Sequence, residues 1–326
     1  MQLSSDNFID DLERWAKSYL EWMRVQDYSN NTIDLYTRTI NQFIEYSLQY
    51  QEEMVMEDIK SNYINGFISY LESEAQLKGR KINVDGKYLS KATKDAYMKA
   101  LKAFFSYISD NNDDLYTFDR FFKVFKQRDK TKPEDKMKYL NDGEITRLLK
   151  TLNATMADKD NYNSYRNSLL IKLMLYGGLR ISEALSIKLE DFEEIDEDVY
   201  MIRIYGKGGK YQTAHISKNI IADELEYFIN GIKLKNNEII MKTKNNTKLD
   251  RRSALTTINR IYANSTISKK GLHILRHTFA MILTKKGTDL VTIKKLLRHS
   301  SITTTTIYSS ATKESVVNAI VINIML

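Results

Sequence analysis

The sequence predicts a mostly α-helical protein with one small antiparallel β-sheet, divided into two domains. Three observations predict this. Before the single proline, Pro133, apolar residues recur at three-to-four spacing in four separate stretches. After it, two alternating segments flank a glycine-rich turn. The 326 residues also exceed the roughly 150 expected of one domain.

The first helical stripe is Phe8, Leu12, Trp15, Tyr19, Leu20 and Met23, with Ser4, Ser5 and Asp6 ahead of it as cap candidates. The second, Leu35, Tyr36, Ile40, Phe43 and Ile44, starts after Ser29, Asn30 and Asn31. Ile59, Tyr63, Ile64, Phe67 and Leu71 form the third. Tyr97, Leu101, Phe104, Phe105 and Ile108 form the fourth, opened by Ser90. Apolar faces at this spacing pack on one another, so residues 1–129 make a helical bundle. Pro133 lies in a polar stretch without hydrophobic period, and proline disfavours helix at the residue before it. Residues 130–139 are therefore the linker, and 140–326 the second domain. There Asn141 with Glu144 three residues on reads as a capping box. Segments 199–204 and 211–216, around Gly206-Lys-Gly-Gly-Lys210, read as a hairpin. The acidic run 190–198 reads as a solvated loop. Helical patterns return at 272–285, at 290–297 and in a short stretch ending near Tyr308.

Composition excludes several classes. There is no cysteine, hence no disulfide framework, thiolate metal site or cysteine nucleophile. No apolar run approaches the ~20 residues of a membrane helix. The first residues lack a basic and apolar leader, so the expected location is the cytoplasm, with no membrane partner. Lys and Arg number 49 against 42 Asp and Glu, a surplus of +7 that hints at a polyanionic partner.

Two motifs invite misreading. His273 and His277 stand four apart on a helical pattern, as zinc ligands do, but a zincin places Glu after the first His and here Ile274 stands there. Gly206-Lys-Gly-Gly-Lys210 opens a strand, whereas a Walker A loop opens a helix. His273 and Arg276, three apart, share a helix face and can reach one anion together. Tyr308 follows His299 by nine residues.

Taken in order, Gly178-Leu-Arg180-Ile-Ser-Glu183, Gly206-Lys207-Gly, His273-Ile-Leu-Arg276-His-Thr-Phe-Ala, Leu296-Leu-Arg-His299 and Thr306-Ile-Tyr308 resemble the signature of the tyrosine recombinase family. The likeness is greatest to its bacterial Xer branch. It departs at Arg298, where the family usually has glycine.

The resemblance implies a C-shaped clamp of a helical core-binding (SAM-like) domain and a catalytic domain, and roles for six residues. Arg180 and Arg276 would clamp the phosphate oxygens, with His299 adding a hydrogen bond. Tyr308 would attack phosphorus, His273 would accept its proton, and Lys207 would protonate the leaving 5′-oxygen. Glu183 would support the site from behind. No metal, ATP or other cofactor is required. DNA contacts are expected from Lys123, Lys126, Arg128, Lys130 and Lys132 around the linker, and from Lys210 and Arg298.

The implied partners are a double-stranded DNA recombination site near the nucleoid and a homotetramer joined through the apolar C-terminal tail, with a cell-division DNA translocase as a further partner. The rivals are a type IB topoisomerase-like monomer and a non-catalytic DNA-binding regulator.

Overall fold

The computed structural model describes residues 1–5, 7–50, 54–83, 86–118, 138–159, 161–205 and 211–298. The chain divides into two units, Met1–Lys130 and Thr131–Leu326.

The first unit consists of α1 (Phe8–Val25), α2 (Asn30–Ser47), α3 (Ser61–Leu77) and α4 (Lys91–Asn111). Ser90 caps α4 as expected, and Ser29 caps α2, which starts at Asn30 and so earlier than the expected start after Asn31; each serine accepts from the backbone three residues on. The cap of α1 differs from expectation. Asn7 accepts from the N–H groups of Ile9 and Asp10, while Ser5 turns inward to bond Asp11 through both its N–H and its hydroxyl. A buried carboxylate thus claims the serine that would otherwise compete for the cap. The four apolar stripes meet in one aromatic core. Phe43 is fully buried there and receives Tyr63, Phe67 and Phe105 edge-on at 5.2–5.8 Å. Trp15 donates its indole N–H to the Leu3 carbonyl at 3.1 Å, which ties the chain start to the bundle.

The second unit contains α5 (Asp142–Lys159), α6 (Tyr162–Tyr176), α7 (Ile181–Ala184), α8 (Ala222–Glu226), α9 (Arg251–Asn264), α10 (His273–Lys285) and α11 (Leu290–Leu297). Asn141 and Glu144 form the expected capping box: each side chain accepts from the other's backbone N–H, at 2.8 and 2.9 Å. Helix α6 is buried almost all round, with residues 168–175 inaccessible in succession, so it serves as the unit's axis. Its Lys172 is buried and pairs with the fully buried Glu224 of α8 at 2.6 Å.

The sheet is three-stranded and antiparallel, in the order β1 (Phe192–Glu194), β2 (Val199–Tyr205), β3 (Tyr211–Ser217). The hairpin is where the sequence places it, but the acidic run is not all loop. Phe192 packs edge-on against Tyr200, and Lys218 pairs with Glu194 at 2.7 Å, so the run's first part becomes a strand. Helices α10 and α11 share a small separate core of Phe279, Ala280, Met281, Ile293 and Leu297. No described helix is long and apolar enough to cross a membrane.

Candidate active site

The site begins where α6 ends. Gly177 terminates the helix and Gly178 takes a left-handed φ of +61°. A Cβ at Gly178 would fall 2.5 Å from the Phe279 ring, so glycine is required both for the turn and for the close approach of α10. The turn delivers Arg180 to the start of α7. Glu183, three residues on, accepts from the Arg180 backbone N–H and from its guanidinium, both at 2.7 Å.

Arg276 comes to the same place from α10, with a side chain only 6 % exposed. It donates to the Gly178 carbonyl at 2.5 Å and to the Leu297 carbonyl at the end of α11. Arg180 donates to the next carbonyl, that of Arg298, at 3.1 Å. The two guanidinium groups therefore end on consecutive carbonyls, and both flank Glu183, to which Arg276 stands at 4.0 Å. Burial alone would raise the Glu183 carboxyl. The Arg298 charge and the bonds from Arg180 outweigh it and hold the group below the usual carboxylate range.

His273 is the first residue of α10 and is exposed, while Arg276 on the same helix is buried. Partial burial of the His273 ring, then the charges of Arg251, Arg276 and Arg180, lower its pKa from the ordinary 6.5. A ring so placed is neutral near pH 7 and can accept a proton. His277 lies one turn on, its ring 6.5 Å from that of His273, and is likewise lowered, first by burial and then by His273 and Arg276. Among the described residues no three of His, Cys, Asp and Glu gather as a metal ion would need.

Beside Glu183 opens a cleft of about 660 Å³ whose far wall is the root of the β2–β3 hairpin, including Arg203, Tyr205 and Tyr211. The Tyr205 and Tyr211 hydroxyls bond each other at 2.5 Å. Lys207, Lys210, His299, Tyr308, the linker residues Lys123, Lys126, Arg128, Lys130 and Lys132, and the apolar tail lie outside the described residues.

Arg298 differs from the expected phosphate contact. Its side chain is 4 % exposed and turned inward, donating to Glu183 at 2.9 Å, to the Gly178 carbonyl at 3.0 Å and to the Leu296 carbonyl at 2.9 Å. A buried carboxylate attracts the guanidinium more strongly than solvent does. The parts that the sequence motifs do not reveal are the carbonyls of Gly178, Leu296 and Leu297. Their only signal is the glycine pair that ends α6.

A carboxylate gathering three guanidinium groups, with a neutral imidazole at the edge, has the chemistry to receive an oxyanion such as a phosphodiester. Residues 138–315 match the phage integrase family and residues 11–109 its SAM-like domain. The chain belongs to the phage integrase family, that of the tyrosine recombinases.

It is 33 % identical over 227 residues to tyrosine recombinase XerH of Campylobacter jejuni, a stretch that covers 68 % of this chain and 62 % of that relative. It is 30 % identical over 305 residues to tyrosine recombinase XerC of Rickettsia felis, covering 91 % of each. In structure it is similar to XerH bound to a palindromic difH substrate in a post-cleavage complex. The TM-score is 0.74 at 25 % identity, over 95 % of this chain and 83 % of that one.

Proposed function

We propose that this chain is a site-specific DNA recombinase of the Xer type, which cleaves and rejoins strands through a 3′-phosphotyrosyl intermediate and a four-way junction. The observation that carries this reading is the convergence of Arg180 and Arg276, 96 positions apart in sequence, on one carboxylate and on consecutive carbonyls. Planar guanidinium forks match the two non-bridging oxygens of a phosphodiester, whose charge grows as phosphorus is attacked.

In the proposed step the Tyr308 oxygen bonds to phosphorus while the bond to the 5′-oxygen breaks. The phenolic proton passes to His273, and Lys207 supplies a proton to the departing 5′-oxygen. His299 adds a hydrogen bond to the phosphate. The link to tyrosine retains the energy of the broken bond, so rejoining is the same step reversed. The duplex is held by the linker cations and Lys210. Four copies assemble on paired sites, each C-terminal tail docking on a neighbour. Acting on DNA in this way, the protein works in the cytoplasm. The related XerH captured on its difH substrate supports a duplex recombination site as partner.

The test is trapping on nicked DNA fragments from the host. An SDS-stable, protease-sensitive adduct at one recurring sequence, lost in Tyr308→Phe, is the expected result. Adducts scattered over many sequences, with relaxation of supercoils, would point to topoisomerase activity instead. Tight site-specific binding without any adduct would reject catalysis.

A further inference from the structure

Arg298 follows the last residue of α11 with φ 55° and ψ 43°, the left-handed conformation that glycine adopts freely and a residue with a Cβ adopts only at a cost. The strain is accompanied by a side chain that is almost wholly enclosed. Its terminal nitrogens hold one carboxylate and two carbonyls, and its Nε is buried without an acceptor among the described residues. Arg298 stands 2.9 Å from Glu183, against 4.0 Å for the equally enclosed Arg276, so its charge is committed to that carboxylate and its work lies inside the site.

Charge defines that work. Glu183 must remain ionised to hold Arg180 by two bonds, and an ionised carboxylate beside Arg180 and Arg276 competes with any phosphate for them. Arg298 supplies Glu183 with a third guanidinium, leaving a surplus of two positive charges in the group. Geometry adds a second effect. Arg298 reaches from the last turn of α11 to Gly178 and Glu183, on either side of Arg180, while Arg180 reaches back to the Arg298 carbonyl. The two arginines thus clasp each other's segments reciprocally.

We propose that Arg298 is a positioning residue that neutralises Glu183 and fastens the end of α11 to the turn before Arg180, so that Arg180 and Arg276 meet an incoming phosphodiester with their charge unspent. This rests on the strand-cleavage reading above.

The experiment uses the full chain with Arg298→Gly, Arg298→Lys, Glu183→Gln and the double variant Glu183→Gln/Arg298→Gly. Glycine relieves the left-handed strain, so the helix end survives the change. With saturating nicked site DNA, Arg298→Gly should form the Tyr308-dependent adduct about tenfold more slowly or worse, while affinity for the uncleaved site stays within about twofold. Arg298→Lys, which keeps the charge, should recover part of the rate. In thermal unfolding, Glu183→Gln should lower Tm clearly in the native background, where it strands the buried Arg298, and much less in Arg298→Gly.

A native cleavage rate in Arg298→Gly would overturn the proposal. So would a fall in affinity as large as the fall in rate, which would mark a direct DNA contact. Additive changes in Tm would overturn it as well. A native chain that forms no Tyr308-dependent adduct would instead overturn the cleavage reading, and the Tm cycle would then decide alone whether Arg298 and Glu183 act as a pair.

Discussion

In the Met1–Lys130 unit the interior is a mesh of aromatic rings, and its buried charges find partners on neighbouring helices or within a few residues. Asp11 is held by Ser5 and Arg14, and Lys94 by Glu72. In the Thr131–Leu326 unit, charge is buried between distant parts of the chain. Arg276 bonds Gly178 across 98 positions and Arg298 bonds Glu183 across 115. The first unit spends its interior on shape. The second encloses three guanidinium groups around one carboxylate, Glu183, and under the proposed function a phosphodiester would complete their neutralisation. Desolvated charge destabilises a fold unless it is paired, so a surplus of guanidinium groups marks where a protein serves its ligand more than its own stability.

Three changes break or sharpen that contrast. The largest effect is expected from Phe43→Ala, which empties the centre of the aromatic mesh and should cost about 3–5 kcal/mol of stability. Denaturant unfolding should show it, with the adduct-forming rate of the folded protein unchanged. Arg276→Ala should do the reverse. Adduct formation should fall about 10²–10³-fold, the usual loss for one preorganised donor to a developing oxyanion, while circular dichroism keeps its helical signal. If both variants lost stability and rate alike, the division of labour between the units would not stand.

The smallest effect is in pH. His273 sheds its proton more readily than a free imidazole, so at pH 6.5 more than half of the rings are neutral and able to accept a proton. Adduct formation should therefore keep more than half of its plateau rate at pH 6.5 and decline only below it. An acid limb centred above that pH would remove His273 as the acceptor.

The contrast also explains what the sequence reveals. The stripes of α1 to α4 and the caps Ser29, Ser90 and Asn141 are legible because each depends on residues within one or two helical turns. Arg180, Glu183 and Arg276 are legible as motif members. Three features escape. Asn7 takes the cap from Ser5 because Asp11, six residues on, claims the serine, and a list of cap-forming residues does not say which of them another side chain will engage. Strand β1 hides inside an acidic run because its pairing is provided by β2. The inward turn of Arg298 depends on Gly178 and Glu183, 120 and 115 positions away, and no local pattern reports such a contact.

The attachment of α11 has a consequence for cooperativity. Only Ile293 and Leu297 of this helix are buried, in a core separate from the one around α6. Two such side chains contribute about 3–6 kcal/mol, the partly buried Leu290 and Leu296 add to that core, and the guanidinium bonds that reach the helix end from elsewhere are those of Arg276 to the Leu297 carbonyl and of Arg180 to the Arg298 carbonyl. Polar bonds of this kind can open to water and close again without exposing the main core. The last described helix is thus expected to open below the free energy of global unfolding while the scaffold around α6 stays intact.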